Sequence, residues 1–264
     1  MAKQIYTLAG DQQRIDARPF VSSWRADGVN DYASRTNING SSFWNYLNLN
    51  QAWSFSAWIK LISAPTSGIA GFYFYQLIAE NSDFLIVDLS SIQIAYTKGT
   101  LLRGKYCNSL AVMPYFKLGK WHHVAGSWNG NDPALCKLYI NSIDVDKIAS
   151  ATFTDSVPLM TTALKADLSL YDTNITDNYQ NAQYNDIRFW TGVISPENVR
   201  KLYHNGQNAD IDSSNLLFRL KMNQSSDFES NVPSGQCRIL DSSGNNNHFS
   251  IYGQGTSPTL NYFY

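Results

Sequence analysis

The feature that most constrains this chain is a repeated alternation of apolar and polar residues with a period of two. In WSFSAWIKL (53–61), apolar residues fill the odd-numbered positions, while serine, tryptophan and lysine fill the even-numbered ones. Successive side chains of a β-strand point to opposite faces of its sheet, so this period is typical of a half-buried strand. Further segments of strand character occur at 84–99, 120–128, 135–146, 166–172, 184–194 and 215–223.

Turn-forming residues separate these segments. SAPTSG (63–68), NGNDP (129–133) and SSGNNN (242–247) are rich in the residues that adopt turn conformations. Many short strands with turns between them favour an antiparallel sandwich or a jelly roll. We therefore predict an all-β protein in which two antiparallel sheets pack as a jelly-roll sandwich.

One short helix is expected within this β structure, in SPENVRKLYHNG (195–206). Ser195 is suited to cap its N-terminus, Pro196 suits the first helical position, and Gly206 is a natural stop. We expect the helix to lie against one edge of the sandwich. Its apolar face consists of Val199, Leu202 and Tyr203.

Composition limits the partners of the chain. Of its 264 residues, 44% are hydrophobic, which is enough for a sizeable core. Charged residues make up only 16%, against about 25% in average proteins, and the formal net charge is −1. The sequence lacks the basic surface that a phosphate backbone attracts, so we expect neither nucleic acid nor an anionic membrane as a partner.

The chain reads as one domain with extensions. The N-terminal segment lacks the apolar stretch of a signal peptide, and no window approaches the roughly 18 apolar residues of a membrane-spanning helix. We therefore expect a soluble protein made in the cytoplasm. We predict an N-terminal arm (1–19) and one jelly-roll domain (20–264) that ends in an aromatic tail, LNYFY (260–264).

Several segments together resemble the laminin-G-like, concanavalin A-like domains, in the order of that family. They are WRADGVNDY (24–32), WSFSAWIKL (53–61), KWHHVAGSWNGNDPALCKLYINS (120–142), YNDIRFWTGVISPENVRKLYHNG (184–206), LLFRLKMNQSS (216–226) and ILDSSGNNNHFSIYG (239–253). The resemblance covers about residues 20–253 and implies a two-sheet jelly roll, a fold frequently used for carbohydrate recognition. The same fold hosts lectins, glycosidases, adhesion modules and structural proteins, so function has to be argued from a site.

Aromatic side chains are the first candidates for a sugar-binding site, because the apolar C–H faces of sugar rings stack on aromatic rings. Tryptophans within strand segments are expected in the core instead. These are Trp53, Trp58, Trp121, Trp128 and Trp190. The candidates for stacking on a sugar are the aromatic residues that we place in loops, namely Phe43, Trp44, Tyr46, Tyr179 and Tyr184.

A calcium site is the second candidate, because DGVNDY places Asp27, Asn30 and Asp31 within five residues. Calcium prefers several oxygen ligands at close range, and Asp186 could join this group if the sheets bring it near. Domains of the resembling family often hold calcium near the sheet edge. The alternative is an Asx-type turn that is capped by its own side chains.

The adjacent His122 and His123 are poor candidates for a shared metal ion. Neighbouring residues on a strand point to opposite faces, so we expect one histidine inside and one at the surface.

Catalysis has little support in the sequence. Glycosidases of the resembling fold usually carry a strand motif in which two glutamates flank an aspartate, with both glutamates on one face. The glutamates here are Glu80, Glu197 and Glu229, and they form no such motif. The spacing of Glu80, Asp83 and Asp88 mixes both faces of a strand. We therefore predict a protein that is not an enzyme, with a glycoside hydrolase as the disfavoured alternative.

The predicted function is a lectin-like, carbohydrate-binding domain on the surface of a virion, such as a bacteriophage decoration or fibre protein, that attaches to a host glycan. Such a protein needs no export signal, because it leaves the cell by lysis and is then extracellular. The alternative is a structural or assembly protein that uses the fold as a scaffold. Expected partners are a cell-surface glycan, together with other subunits or capsid and tail proteins bound through residues 1–19 and the C-terminal tail. Calcium is the only cofactor expected.

Overall fold

The computed structural model of this chain describes residues 22–36, 52–63, 71–75, 81–87, 91–98, 101–108, 117–129, 132–145, 151–154, 165–168, 181–209, 211, 213–230, 232, 237–254 and 258–262. The strands are β1 (Ser22–Asp27), β2 (Tyr32–Thr36), β3 (Trp53–Leu61), β4 (Gly71–Tyr75), β5 (Asn81–Val87), β6 (Ser91–Lys98), β7 (Leu101–Asn108), β8 (His122–Trp128), β9 (Lys137–Ile140), β10 (Ile143–Asp144), β11 (Ala151–Thr154), β12 (Lys165–Leu168), β13 (Asn181–Thr191), β14 (Leu216–Leu220), β15 (Phe228–Glu229), β16 (Cys237–Ile239), β17 (Phe249–Tyr252) and β18 (Leu260–Tyr262). Helix α1 spans Pro196–Asn205, and short 3-10 turns occupy Pro133–Leu135, Gly206–Asn208 and Ser225–Asp227. The predicted arm (1–19) lies outside the described residues.

These strands form two antiparallel sheets. Sheet A has eight strands in the order β10-β9-β8-β3-β13-β1-β18, with β14 paired to the second half of β13. Sheet B has ten strands in the order β11-β7-β6-β5-β4-β12-β2-β17-β16-β15. The prediction of an all-β, two-sheet jelly-roll sandwich with a short helix is confirmed for the described residues. One detail differs from the sequence prediction. The segment 84–99, which was predicted as one stretch of strand character, contains the end of β5 and the whole of β6.

The apolar core lies between the sheets. The odd-numbered residues of β3 join Trp24 and Tyr184 on the sheet A side, and Phe249 and Ile251 enter from sheet B. The apolar residues of the alternating segment β3 therefore form part of the inner face of sheet A.

The tryptophans assigned to the core are all buried, but on two different faces of sheet A. Trp53 and Trp128 stack in the core between the sheets. Trp58 and Trp121 lie on the opposite, outer face with Tyr203 of helix α1. Trp190 is also on this outer face, packed with residues of the same helix. The core prediction is therefore confirmed, and sheet A is shown to be buried on both faces beneath α1.

Helix α1 has the predicted bounds and caps. The Ser195 side chain accepts a hydrogen bond from the backbone N–H of Asn198 at 3.2 Å, and Gly206 ends the helix with φ of 50°. The helix covers the outer face of sheet A, and the ring of Tyr203 stacks on Trp58 at 5.8 Å. Its predicted place at an edge is therefore wrong, because apolar residues also occupy outward positions of sheet A. No helix in the described ranges is long and apolar enough to cross a membrane.

A bulge at Asp186 divides β13 into two halves. Asp186 has φ of 45°, and the register with β3 shifts between Asn185 and Arg188. Aspartate tolerates this left-handed conformation better than most residues. The shift changes the alternation, so that Tyr184 before the bulge and Ile187 after it both point into the core.

The Asp186 carboxylate is buried between two arginines. The Arg188 guanidinium donates to both carboxylate oxygens at 3.0 and 2.8 Å, and Arg219 of β14 donates to Oδ1 at 2.9 Å. Arg188 also donates to the carbonyl of Gly206, and Arg219 to that of Gln207. These bonds tie β13 and β14 to the chain just beyond helix α1.

Removing the Asp186 charge should destabilise the fold strongly. The Asp186→Asn substitution keeps the size and backbone preference of the residue but leaves Arg188 and Arg219 without a buried counter-charge. We expect the free energy of unfolding to fall by about 3–5 kcal/mol in chemical denaturation. The matched control is Glu197→Gln in the exposed pair with Lys201, for which we expect a loss below about 0.5 kcal/mol. Equal losses in both variants would contradict this assignment.

Candidate functional site

The turn between β1 and β2 crosses from sheet A to sheet B at one end of the sandwich. The connection from β17 to β18 crosses at the same end, since β17 pairs with β2 and β18 pairs with β1. We call this end the β1–β2 rim. It comprises Asp27, Gly28, Val29, Asn30, Asp31, Tyr32, Asn181, Tyr252, Gly253 and Gln254.

The β1–β2 turn is held by Asp27. Its Oδ1 atom accepts hydrogen bonds from the backbone N–H groups of Val29 at 2.7 Å and Asn30 at 3.3 Å. Gly28 has φ of 82°, and a Cβ atom there would lie 2.8 Å from the backbone nitrogen of Asn181, so a larger residue does not fit. The Asx-type turn given as the alternative to a metal site is present, and it leaves the side chains of Asp27 and Asn30 exposed.

Gln254 supports this turn from behind with a complete set of hydrogen bonds. Its Nε2 atom donates to Asp31 Oδ2 at 2.8 Å and to the Arg25 carbonyl at 2.6 Å. Its Oε1 atom accepts from Trp24 Nε1 at 3.1 Å and from the backbone N–H of Thr259 at 2.7 Å. One side chain therefore joins β1, the turn and the segment before β18.

Asp31 is the buried member of the turn, with 4% of its surface exposed. Burial raises the pKa of its carboxyl group, and the nearby Asp27 carboxylate adds to this effect. The hydrogen bonds from Gln254 and from the backbone N–H of Asp27 act in the opposite direction. The Oδ1 atom of Asp31 makes no hydrogen bond with the described residues, and a side chain at Gly253 would meet it at 2.5 Å.

Tyr32 and Tyr252 form an aromatic pair on the outer face of sheet B. They are directly opposite each other on β2 and β17, with ring centroids 4.6 Å apart and ring planes inclined by 9°. Both residues are partly exposed, whereas their neighbours Ala33 and Ile251 point into the core. Since Tyr32 follows Asp31 directly, the aromatic pair adjoins the exposed polar turn.

The family is decided by a comparison with sequence families. The profile described as the concanavalin A-like lectin/glucanases superfamily matches residues 27–200, which is more than half of the chain. The chain belongs to this family. A search of curated protein sequences finds no match to it.

Solved structures share the architecture of this concanavalin A-like domain. A candidate carbohydrate-binding protein from Bacteroides ovatus is 10% identical with a TM-score of 0.55, and the match covers 92% of this chain and 60% of that one. Domain 4 of AbnA, an extracellular arabinanase from Geobacillus stearothermophilus solved with arabinotriose, is 16% identical with a TM-score of 0.44, covering 69% of this chain and 76% of that one. A Trypanosoma rangeli sialidase solved with sialic acid is 11% identical with a TM-score of 0.47, covering 72% and 28%. At 10% identity, the similarity to the Bacteroides ovatus protein shows the fold alone, and the family itself is described as one of lectins and glucanases.

Of the predicted sugar-stacking residues, only Tyr184 lies in the described part of this concanavalin A-like domain. Its prediction is wrong, because Tyr184 is completely buried in β13 and stacks on Trp24 with centroids 5.7 Å apart. The other candidates lie outside the described residues: Phe43, Trp44, Tyr46 and Tyr179.

Of the predicted calcium ligands, Asp27, Asn30 and Asp31 are together at the β1–β2 rim. The expectation that Asp186 joins them is wrong, because both of its carboxylate oxygens are bonded to arginines. Among the described residues, no three His, Cys, Asp or Glu side chains are grouped to hold a metal ion. Asp27 Oδ2 and Asp31 Oδ1 make no hydrogen bond with the residues described, so with Asn30 they offer few of the roughly six to eight oxygen ligands that calcium takes.

The two histidines point to opposite faces of β8, as predicted, but neither is at the surface. His122 Nε2 accepts from the backbone N–H of Lys117 at 2.9 Å, and its Nδ1 contacts Asn141 at 3.2 Å. His123 is beneath helix α1, where its Nε2 is 2.8 Å from the Ser56 hydroxyl. The expectation of one surface histidine is wrong, because Lys117 and Asn141 contact His122 and helix α1 covers His123.

Sequence analysis missed Tyr32, Tyr252 and Gln254. The signal for the tyrosines was present, since each stands one position from a core residue in an alternating segment and so faces outward. The pairing of the tyrosines and the role of Gln254 depend on contacts between the two ends of the chain. No local pattern in the sequence reports such contacts.

Lowering the pH should destabilise the domain through His122 and His123. Burial lowers the pKa of His122 to about 4 and that of His123 to about 3, while an unfolded histidine titrates near about 6.5. The unfolded chain therefore binds more protons between these values, and the free energy of unfolding falls as the pH decreases from about 6.5 toward about 4. Each histidine contributes up to about 1.4 kcal/mol per pH unit.

The measurement is chemical denaturation at a series of pH values. His123→Asn cannot titrate and should remove about half of this histidine-dependent slope. His204→Asn is the control, because His204 is exposed on helix α1. An unchanged slope in His123→Asn would contradict the assignment.

Proposed function

We propose that this domain binds a glycan at the β1–β2 rim. The observation that carries the proposal is the partly exposed pair of Tyr32 and Tyr252 next to the exposed side chains of Asp27 and Asn30. Sugar rings have apolar C–H faces and hydroxyl edges. Aromatic rings contact the faces, and amide and carboxylate groups bond to the hydroxyls.

The rim offers these groups on a firm support. Gln254 and Asp31 form the buried hydrogen bonds behind the turn, and β2 and β17 hold the two tyrosines in register. A site that is already ordered loses little conformational entropy on binding. By contrast, the outer face of sheet A is covered where helix α1 packs on Trp58 and Trp190.

The proposal is binding without cleavage of the glycan. Glycosidases use two carboxyl groups that flank the bond to be cleaved. Glu197 is paired with Lys201 on the helix, and Glu229 is paired with Arg238 on β16. At the rim, Asp31 is buried and its Oδ2 accepts two hydrogen bonds, which supports a role in holding the turn.

Calcium at the rim is part of the proposal. Asp27, Asn30 and Asp31 would be its protein ligands, and water or glycan hydroxyls would complete the shell. Calcium would add a positive charge that attracts hydroxyl oxygens of the glycan.

We further propose that the domain is displayed on a virion surface and attaches the particle to a host glycan. This setting is supported by the sequence alone, through its low content of charge and the predicted arm (1–19). The second candidate is a structural or assembly role in which the fold serves as a scaffold.

Loss of either tyrosine of the aromatic pair should weaken glycan binding. We expect Tyr32→Ala and Tyr252→Ala each to weaken binding on the order of tenfold, which corresponds to about 1.4 kcal/mol of lost stacking. Binding is measured first on an array of neutral and acidic glycans, and then by calorimetry on the glycan found. Tyr32→Phe and Tyr252→Phe are the matched controls, because they keep the ring face and should keep most of the affinity.

The same array measured with a calcium chelator tests the metal. Binding lost in chelator and restored by calcium supports the proposed ligands, whereas unchanged binding rules calcium out of the site. Tyrosine variants that bind as well as the wild type would overturn the rim as the site. Release of reducing sugar that Asp31→Asn abolishes would overturn binding without cleavage.

The virion setting predicts that the protein sediments with purified particles. A variant lacking residues 1–15 should fold cooperatively but remain in the supernatant, because the arm is proposed to contact the particle. Full-length protein found only in the supernatant would contradict a virion protein and favour a free lectin.

A further inference from the structure

Four buried polar atoms on the outer face of sheet A have no hydrogen-bond partner in the described part of the chain. They are Ser23 Oγ, Arg25 Nε, Asn181 Oδ1 and Gln183 Oε1. Ser23 is completely buried and Gln183 is 6% exposed, while Arg25 and Asn181 are partly exposed. A buried polar group without a partner costs about 1–3 kcal/mol, so a group of them requires an explanation.

The strand register places these residues on one continuous surface. Arg25 is directly opposite Gln183, and Asn181 is opposite Asp27 two residues further along β1. Their neighbours Trp24 and Ala26 point into the core, so Ser23 and Arg25 face outward. We call these residues, Ser23, Arg25, Asn181 and Gln183, the β1–β13 strip. At about 3.3 Å per residue, it extends roughly 13 Å from Ser23 to Asn181.

A single water molecule cannot bridge this strip. Successive outward residues on a strand are about 6.6 Å apart, whereas a bound water needs partners within hydrogen-bond distance. The four atoms match a longer molecule that carries several hydroxyl groups. Arg25 and Asn181 are partly exposed, so the strip is open to solvent at these two positions.

The chemistry of the four atoms selects an uncharged ligand. Asn181 Oδ1 and Gln183 Oε1 are neutral acceptors that need O–H or N–H donors, which an ionised carboxylate or sulfate group cannot supply. A cation is disfavoured by the Arg25 guanidinium. The Arg25 guanidinium and the Asp31 carboxylate attract each other. Hydroxyl groups, which both donate and accept, satisfy all four atoms.

We propose that the β1–β13 strip is a second binding site, which holds an uncharged stretch of oligosaccharide of about two sugar units. It lies on sheet A, whereas Tyr32 and Tyr252 lie on sheet B, and both adjoin the β1–β2 rim. The inference rests on the proposed glycan-binding function and extends it to a chain that passes across the rim.

The test compares the thermal stability of the unliganded protein, and its binding of oligosaccharides, in matched pairs of variants. Ser23→Ala and Gln183→Leu remove atoms without a partner, so thermal unfolding of the free protein should occur at the same or a higher temperature. The controls are Ser54→Ala and Gln207→Leu. Ser54 Oγ bonds to Gly192 and Ile194, and Gln207 Nε2 bonds to Asn185 and Lys221, so both controls should lower the unfolding temperature.

Binding is measured by calorimetry with the neutral trisaccharides cellotriose, maltotriose, xylotriose and arabinotriose, and with the acidic trisaccharide sialyllactose. We expect at least one neutral trisaccharide to bind, with a several-fold loss of affinity in Ser23→Ala and Gln183→Leu. Sialyllactose should bind more weakly than that neutral trisaccharide.

Each other outcome has a definite meaning. Strip variants that lower the unfolding temperature as much as the controls would show that structural water occupies the strip. Neutral binding that depends on Tyr32 and Tyr252 but not on the strip would overturn this inference and leave the rim proposal standing. Binding that depends on the strip but not on Tyr32 and Tyr252 would overturn the rim proposal and leave this inference standing. If none of the trisaccharides binds and no glycan on the array binds, both the rim proposal and this inference are overturned.

Discussion

The buried carboxylate of Asp186 is the interaction on which the arrangement of sheet A and helix α1 depends. The positive φ of the Asp186 backbone accompanies the bulge in β13, and the bulge lets both halves of this strand direct apolar residues into the core. The same carboxylate neutralises Arg188 and Arg219, whose other N–H groups bond to carbonyls just beyond the helix. Because an unpaired buried charge costs several kcal/mol, these bonds fix the end of the helix over one part of the sheet.

That position of the helix decides which part of sheet A is covered. Sheet A is covered beneath α1, but the paired strands β1 and β13 carry outward polar residues at the other end of the sheet. At the rim, two connections cross between the sheets, and Gln254 bonds to both. The result is an exposed polar turn on a buried support, between the aromatic pair of sheet B and the β1–β13 strip of sheet A. Outward-facing residues of both sheets thus adjoin the same rim.

The contrast between Tyr184 and Tyr32 shows how far the sequence could predict this site. Sequence analysis placed Tyr184 in a loop as a candidate for stacking on a sugar, and it missed Tyr32. Tyr184 instead points inward in regular alternation with Ala182 of β13, and the bulge at Asp186 lets Ile187 point into the core as well. Tyr32 needed no such correction, because Ala33 beside it is small, apolar and buried. A bulge is set by pairing with neighbouring strands, and a single strand segment therefore cannot predict its own inward face reliably.

The sequence by itself determined the β class, the core tryptophans, the ends of helix α1 and the tendency of DGVNDY to form a turn. These depend on backbone preferences and side-chain alternation over a few residues, which a local pattern contains. Tertiary structure alone decided that the helix covers a sheet face, that Asp186 is bonded to arginines, and that Tyr32 pairs with Tyr252. The bond between Trp24 and Gln254 joins residues 230 positions apart. Such contacts form only when the two sheets pack, so their geometry is a property of the whole fold.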